Sequence, residues 1–297
     1  MTSDTVEVPG ARLHVELAGD GPPLLLISGG GGDTGMYADV VPLLARTYTV
    51  ITYDRRGNSR SPFTHPDASI TPATQADDAV AVLDHQGLER AYVFGNSGGA
   101  IIALEMVIRH PGRLLGAVVH EAPLVQLLPA DSAERREIEH IGRLGQDGHL
   151  MRAFAAFGAM TLPDPPRIFL SPTGQTVIAA GTQLMLAAGD LARRLTRREP
   201  DAMTRQLHNA ELMLRRELPA FCFDYQPDLS ALAATTAPWC LATGRDSVGK
   251  PYYTPAHVLS ERLGIPCQEF PGGHVPYMQH PEEFTKTLTT ILEGFAA

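Results

Sequence analysis

Ser97 stands between glycines in Gly95-Asn96-Ser97-Gly98-Gly99, where an apolar run at 91–94 meets an apolar helical one. A G-x-S-x-G turn of this kind is so tight that flanking side chains would collide. It lifts the serine hydroxyl into open space and leaves the next backbone N–H free to bind an oxyanion. A hydroxyl is a poor nucleophile until a base removes its proton during attack, and neutral histidine is the usual base. Among 11 histidines, His274 is the one placed for that task, because it follows the run 267–270 and the flexible Pro271-Gly272-Gly273. That puts it on a loop at the carboxyl end of an expected strand, where open α/β sheets hold their sites. The imidazole in turn needs a carboxylate to fix its tautomer and to stabilise the imidazolium. Asp246, just past the run 239–243, is the expected acid; Glu121, at the end of the run 114–120, is the alternative.

These residues need a scaffold that brings three distant loops to one edge. Apolar or alternating runs at 6–8, 13–17, 24–28, 48–53, 91–94 and 114–120 read as strands, and helix-length segments at 36–46, 71–86 and 98–110 separate the later ones. Such alternation builds a mostly parallel central sheet with helices on both faces. The first two strands have no helix between them and predict an antiparallel start. From Pro123 to about Ala237 the periodicity is helical, with Leu207, Ala210, Leu214 and Leu218 on one face. Strand character returns at 239–243 and 267–270, around a helix at 254–263, and the chain ends on a helix at 281–295. The organisation is therefore an α/β core, 1–122 and 238–297, interrupted by a helical insertion, 123–237.

Composition narrows the class. With 297 residues, 44% hydrophobic and 19% charged, the chain buries a full core, and a formal charge of −9 argues against nucleic acid or anionic membranes as partners. No apolar segment is long enough for a membrane span and the first dozen residues carry no signal-peptide pattern, so a soluble cytoplasmic protein is expected. Cys222, Cys240 and Cys267 are widely spaced and odd in number, which indicates neither a disulfide framework nor a zinc cluster.

The chain resembles the α/β-hydrolase superfamily, whose triad runs serine, acid, histidine along the sequence. Four stretches carry the resemblance: Leu26-Ile27-Ser28-Gly29-Gly30, Tyr53-Asp54-Arg55-Arg56-Gly57-Asn58-Ser59, the elbow at Ser97, and Gly273-His274 with the segment 277–284. It implies a serine hydrolase without metal or organic cofactor, with an oxyanion hole made by the backbone N–H groups of Gly30 and Gly98. It also implies that the insertion serves as a lid over the active site. One departure is evident. Where many relatives have His-Gly, this chain has Ser28-Gly29, so the histidine that braces the loop is missing ahead of four successive glycines, 29–32.

Met151, Phe154 and Phe157 in the insertion, together with Val275, are the expected pocket residues, and thioethers with aromatics suit a hydrophobic small-molecule substrate. Ester, thioester or lactone hydrolysis is the reaction expected. The same triad also serves carbon–carbon bond hydrolysis, cyclisation and acyl transfer, and a non-catalytic receptor on this fold is the alternative of another class. A rival reading takes Gly30-Gly31-Gly32-Asp33-Thr34-Gly35 as a dinucleotide fingerprint, with Asp54 ending the next strand and Arg55 and Arg56 near a ribose phosphate. It leaves the Ser97 elbow and the His274 loop without a purpose.

Overall fold

All eight runs read as strands form strands. The computed structural model describes residues 1–162, 165–196 and 198–296. It contains β1 (Thr2–Val8), β2 (Ala11–Ala18), β3 (Pro23–Ile27), β4 (Thr49–Tyr53), β5 (Ala91–Asn96), β6 (Leu114–His120), β7 (Trp239–Gly244) and β8 (Cys267–Phe270). They make one sheet of order β1-β2-β4-β3-β5-β6-β7-β8. The β1–β2 and β2–β4 pairs are antiparallel and the rest are parallel, so the antiparallel start is where the sequence puts it.

The two-residue period of a strand sends alternate side chains to opposite faces. Leu25, Ile27 and Val93 enter one core, while Leu24, Leu26, Tyr92 and Phe94 enter the other. The helices that close these cores are α1 (Val41–Leu44), α2 (Pro72–His85), α3 (Gly98–Arg109), α10 (Tyr253–Leu263), α11 (Pro276–Gln279) and α12 (Pro281–Ala296). The first face packs on α2, α3 and α10 through residues such as Val82, Ile101 and Leu259; the second packs on α1 and α12 through Leu44 and Leu288. The helix expected over 36–46 is shorter than its pattern. It splits into a 3₁₀ turn, Thr34–Tyr37, and α1, where Pro42 has no N–H to continue a preceding turn.

Between β6 and β7 lie α4 (Ala133–Gln146), α5 (Leu150–Thr161), α6 (Pro172–Thr196), α7 (Ala202–His208), α8 (Ala210–Leu212) and α9 (Leu229–Ala234), with no strand among the described residues. Leu207, Ala210, Leu214 and Leu218 are all buried. Two π-helical turns, Met213–Glu217 and Pro219–Asp224, follow α8. Such wide turns are frequent at functional sites.

Register determines what meets at the sheet edge. Asn96 lies opposite His120, and His120 opposite Ala242. The ladder continues one residue further: Ser97 N–H donates to His120 O (2.9 Å) and Glu121 N–H to Ala242 O (3.0 Å). Ser97 and Glu121 thus leave the sheet side by side.

Candidate active site

Ser97 links β5 to α3 with φ 56° and ψ −120°, a conformation that an L-residue holds only under constraint. The constraint comes from the glycines around it. A Cβ on Gly95 would lie 2.2 Å from Gly99 O, and one on Gly99 would lie 2.1 Å from Ile27 O. Only hydrogen at both positions lets α3 approach the sheet this closely. Gly98 N–H opens α3, where the helix dipole favours negative charge.

His274 is buried, and its Nδ1 lies 2.6 Å from Glu121 Oε2. The other carboxylate oxygen, Oε1, accepts from Gly244 N–H at 2.7 Å. Burial by itself would raise the Glu121 carboxyl, but neighbouring His120 and the hydrogen bond to His274 outweigh it and hold the group below the ordinary glutamate value. Asp246, the acid expected from sequence, is not at the histidine. Its backbone N–H donates to Gly272 O, and the residue is exposed. The physical reason is chain geometry: β7 stays paired with β8 through Gly244, so Asp246 emerges beyond the edge, while the left-handed φ of 54° at Glu121 turns its carboxylate inward.

Three further residues fix the histidine. Asn96 Nδ2 donates to His274 O (2.9 Å) and also contacts His120 Nδ1 (2.9 Å), while Tyr277 donates from its hydroxyl to Asn96 Oδ1 (3.0 Å). The Tyr252 ring stacks on the imidazole at 3.8 Å between centroids, with its hydroxyl donating to Met160 O. Burial pushes His120 down to about 4, so it is neutral at physiological pH. The Tyr252 and Asn96 contacts join segments far apart in sequence and have no local signature.

Ser97, His274 and Gly30 line two adjoining cavities, one of about 40 Å³ and one of about 160 Å³. The smaller also takes in Gly98, Ile138, Met160, Leu218, Phe221 and Tyr252. The larger is walled by Met36, Phe154, Leu162, Met203, Val275 and Met278. Phe157 borders both. A Cβ on Gly30 would lie 2.8 Å from Met213 Sδ and 3.2 Å from Phe157, so the insertion rests directly on that backbone. Met151, expected in the pocket, lines neither cavity; it sits in the first turn of α5, a turn short of Phe154, and packs against the core.

The dinucleotide reading fails on its own residues. The glycine run leads into a four-residue 3₁₀ turn rather than a helix whose N-terminus could face a pyrophosphate. Asp54 accepts from Thr34 N–H and from Arg60, Arg55 is paired with Glu217, and Arg56 with Asp78.

The family profile described as alpha/beta hydrolase fold matches residues 22–235. The chain is 29% identical over 297 residues to the uncharacterized hydrolase YraK of Bacillus subtilis (strain 168), covering 99% of this chain and 97% of the relative. Its fold resembles that of the enol-lactonase from Burkholderia xenovorans LB400, with a TM-score of 0.67 at 18% identity, covering 98% and 100% of the two chains. It also resembles naproxen esterase (carboxylesterase NP) from Bacillus subtilis, with a TM-score of 0.66 at 18% identity over 97% and 90%.

Proposed function

The chain belongs to the α/β-hydrolase family and is a hydrolase, and from that premise we propose that it cleaves an ester, thioester or lactone of a hydrophobic small molecule through an acyl-enzyme on Ser97. The observation that carries this reading is the 2.6 Å bond between His274 Nδ1 and Glu121 beside a strained serine in a largely apolar cavity. His274 Nε2 takes the Ser97 proton as Oγ attacks the carbonyl carbon. The carbonyl π electrons move to oxygen, which the N–H groups of Gly30 and Gly98 receive. Collapse breaks the bond to the leaving group, and His274 returns the proton to it. Water then repeats the sequence on the acyl-enzyme and releases the acid.

Glu121 is the acid partner in this mechanism; it orients the imidazole and stabilises its charged form. The helical insertion serves as the lid, since residues of α4, α5 and the π-helical turns close the cavities. Their unequal size fits a substrate with one compact and one bulkier side, because about 40 Å³ holds only a small group without movement.

Fluorophosphonate labelling tests the proposal. The expected result is one adduct on the folded protein, mapped to Ser97, with none on Ser97→Ala and a loss of kcat on the order of 10⁶-fold in that variant. Absence of labelling on folded wild type points to the receptor alternative, and full turnover by Ser97→Ala would remove Ser97 from the chemistry.

A further inference from the structure

Four successive glycines carry one of the two oxyanion donors, and the residue expected to brace them does not: Ser28 Oγ is buried with no hydrogen-bond partner. Glycine peptide planes rotate at little steric cost, so an unbraced run would not hold an N–H on target. Gly29 cannot carry a bracing side chain either, because a Cβ there would lie 2.8 Å from Ser97 Cβ. Within the run Gly32 N–H donates to Gly29 O at 3.1 Å, a turn that contacts from outside the run reinforce.

Arg55, which lines the smaller cavity together with Glu217, makes such contacts. Its Nη2 donates to Gly29 O at 2.9 Å, and its backbone N–H donates to Gly32 O at 2.8 Å. The Gly29 carbonyl and the Gly30 N–H belong to one planar trans peptide, so they point in opposite directions. A group that grips the carbonyl therefore fixes the direction of the N–H on the other side of the same peptide plane. A cation on that carbonyl also draws electron density from the amide and makes its N–H a stronger donor.

Arg55 is itself held from the insertion. The guanidinium makes a two-pronged pair with Glu217, Nη1–Oε1 at 2.6 Å and Nη2–Oε2 at 2.9 Å, and both side chains are almost fully buried. Glu217 lies in the first π-helical turn; Arg56, the buried cation next to Arg55 in sequence, is neutralised within the core by Asp78 instead. Removing one partner of a buried pair leaves an uncompensated charge. A second, independent contact acts on the same run: Asn209, at the start of α8, donates from Nδ2 to Gly31 O at 2.6 Å.

We propose that Arg55, clamped by Glu217 of the helical insertion, is the positioning residue that sets the Gly30 N–H for the oxyanion, so that the hole is complete only while the insertion is seated. This rests on the reading of Gly30 as an oxyanion donor given above. Displacement of the π-helical segment strips Arg55 of its counter-charge, leaving Gln75 Oε1 of α2 (2.8 Å) as its remaining side-chain tie, and so loosens its grip on the Gly29 carbonyl, which keeps the turn bond from Gly32 N–H. Closure over substrate and readiness of the hole are one event.

Glu217→Gln tests the coupling. The insertion keeps its separate tie through Arg205 Nε to Asp33 Oδ2 (2.6 Å), and a neutral amide still fills the site. With a p-nitrophenyl ester turned over by wild type, the expected result is a kcat loss of about 10- to 100-fold, part of the loss known for deleting a whole donor. KM stays within about 3-fold on this account, because the ground-state carbonyl asks little of the hole. The fluorophosphonate labelling rate and the affinity for a trifluoromethyl ketone, whose adduct places an oxyanion in the hole, fall by the same factor as kcat. Asn209→Ala, which loosens the run from its other side, gives a smaller loss of the same pattern and serves if Glu217→Gln folds poorly. Unchanged kcat, labelling and ketone affinity in either folded variant would overturn the inference, as would losses that merely track the folded fraction. A wild type that neither labels nor hydrolyses would instead bring down the proposed function, and the inference with it.

Discussion

The segments that follow β6 and β7 leave the same edge of the sheet, each offers a carboxylate, and only one delivers it. Glu121 is the first residue after β6; it adopts φ 54°, is fully buried and bonds through both oxygens, to His274 and to Gly244 N–H. Asp246 is two residues past the end of β7, exposed, in a turn held by backbone bonds to Phe270 and Gly272. A non-glycine residue in the left-handed region costs on the order of 1–3 kcal/mol and persists only where its surroundings overdetermine it. The strain lies at the β6 end, beside the equally strained Ser97. Distance from the strand end decides the matter: a residue still on the ladder has its Cα fixed, whereas one two residues out is free to face water.

The largest effect is expected at the acid itself. Glu121→Gln keeps the shape of the carboxylate but offers His274 Nδ1 the wrong partner, so kcat is expected to fall by roughly 10³- to 10⁴-fold, as for the corresponding change in a well-characterised triad. Steady-state kinetics on any ester turned over by wild type measures it, with circular dichroism to confirm folding. A loss under about 10-fold would reduce Glu121 to a buried structural carboxylate.

A second difference between the two ends is titratable. At the register position where β7 carries Ala242, β6 carries His120, buried among Phe94 and Phe270 and facing Asn96, Glu121 and His274. Burial lowers its folded value to about 4, whereas in the unfolded chain it takes a proton near the ordinary histidine value of 6.5. Between those limits the unfolded state binds more protons, so stability falls as the pH drops through 6.5 and levels off near 4. The span amounts to about 3 kcal/mol. His120→Phe keeps an aromatic ring in place and cannot titrate. Urea unfolding at pH 7 and pH 4.5 should therefore show a smaller acid-induced loss in the variant, and equal losses would refute this account of His120.

The contrast also shows which parts of the molecule are legible in a sequence. Strands and core helices are, because burial imposes a local period: 91–94 and 114–119 are apolar throughout because β5 and β6 are covered on both faces. Ser97 stands out because it lies between Gly95 and Gly98, and His274 because Gly272 and Gly273 precede it, and a tight turn has to be written in glycine. The choice between Glu121 and Asp246 has no such mark, since it depends on where β6 stops pairing and on one backbone angle. Glu217 is harder still to foresee. It meets Arg55 across 162 positions, and a glutamate amid Leu214, Arg215, Arg216 and Leu218 looks like any residue on the polar side of a helix.

At Asp246 the effect should be slight, and that is what separates the two carboxylates. Asp246→Asn removes a charge from an exposed turn whose hydrogen bonds run through the backbone, so kcat and KM should both stay within about twofold of wild type, and stability within about 0.5 kcal/mol. A change that small is informative because the alternative is so large. If the turn after β7 swung inward on substrate binding and brought Asp246 to Nδ1, the same substitution would cost orders of magnitude in kcat, and Glu121→Gln would then be the mild one. Such a swing would have to break the bonds from Arg245 N–H to Phe270 O (3.0 Å) and from Asp246 N–H to Gly272 O (2.8 Å). It would also have to displace a buried carboxylate already bonded through both of its oxygens. Each step leaves a polar group unpaired away from water, at about 1–3 kcal/mol apiece, and nothing at the exposed position of Asp246 offsets that cost.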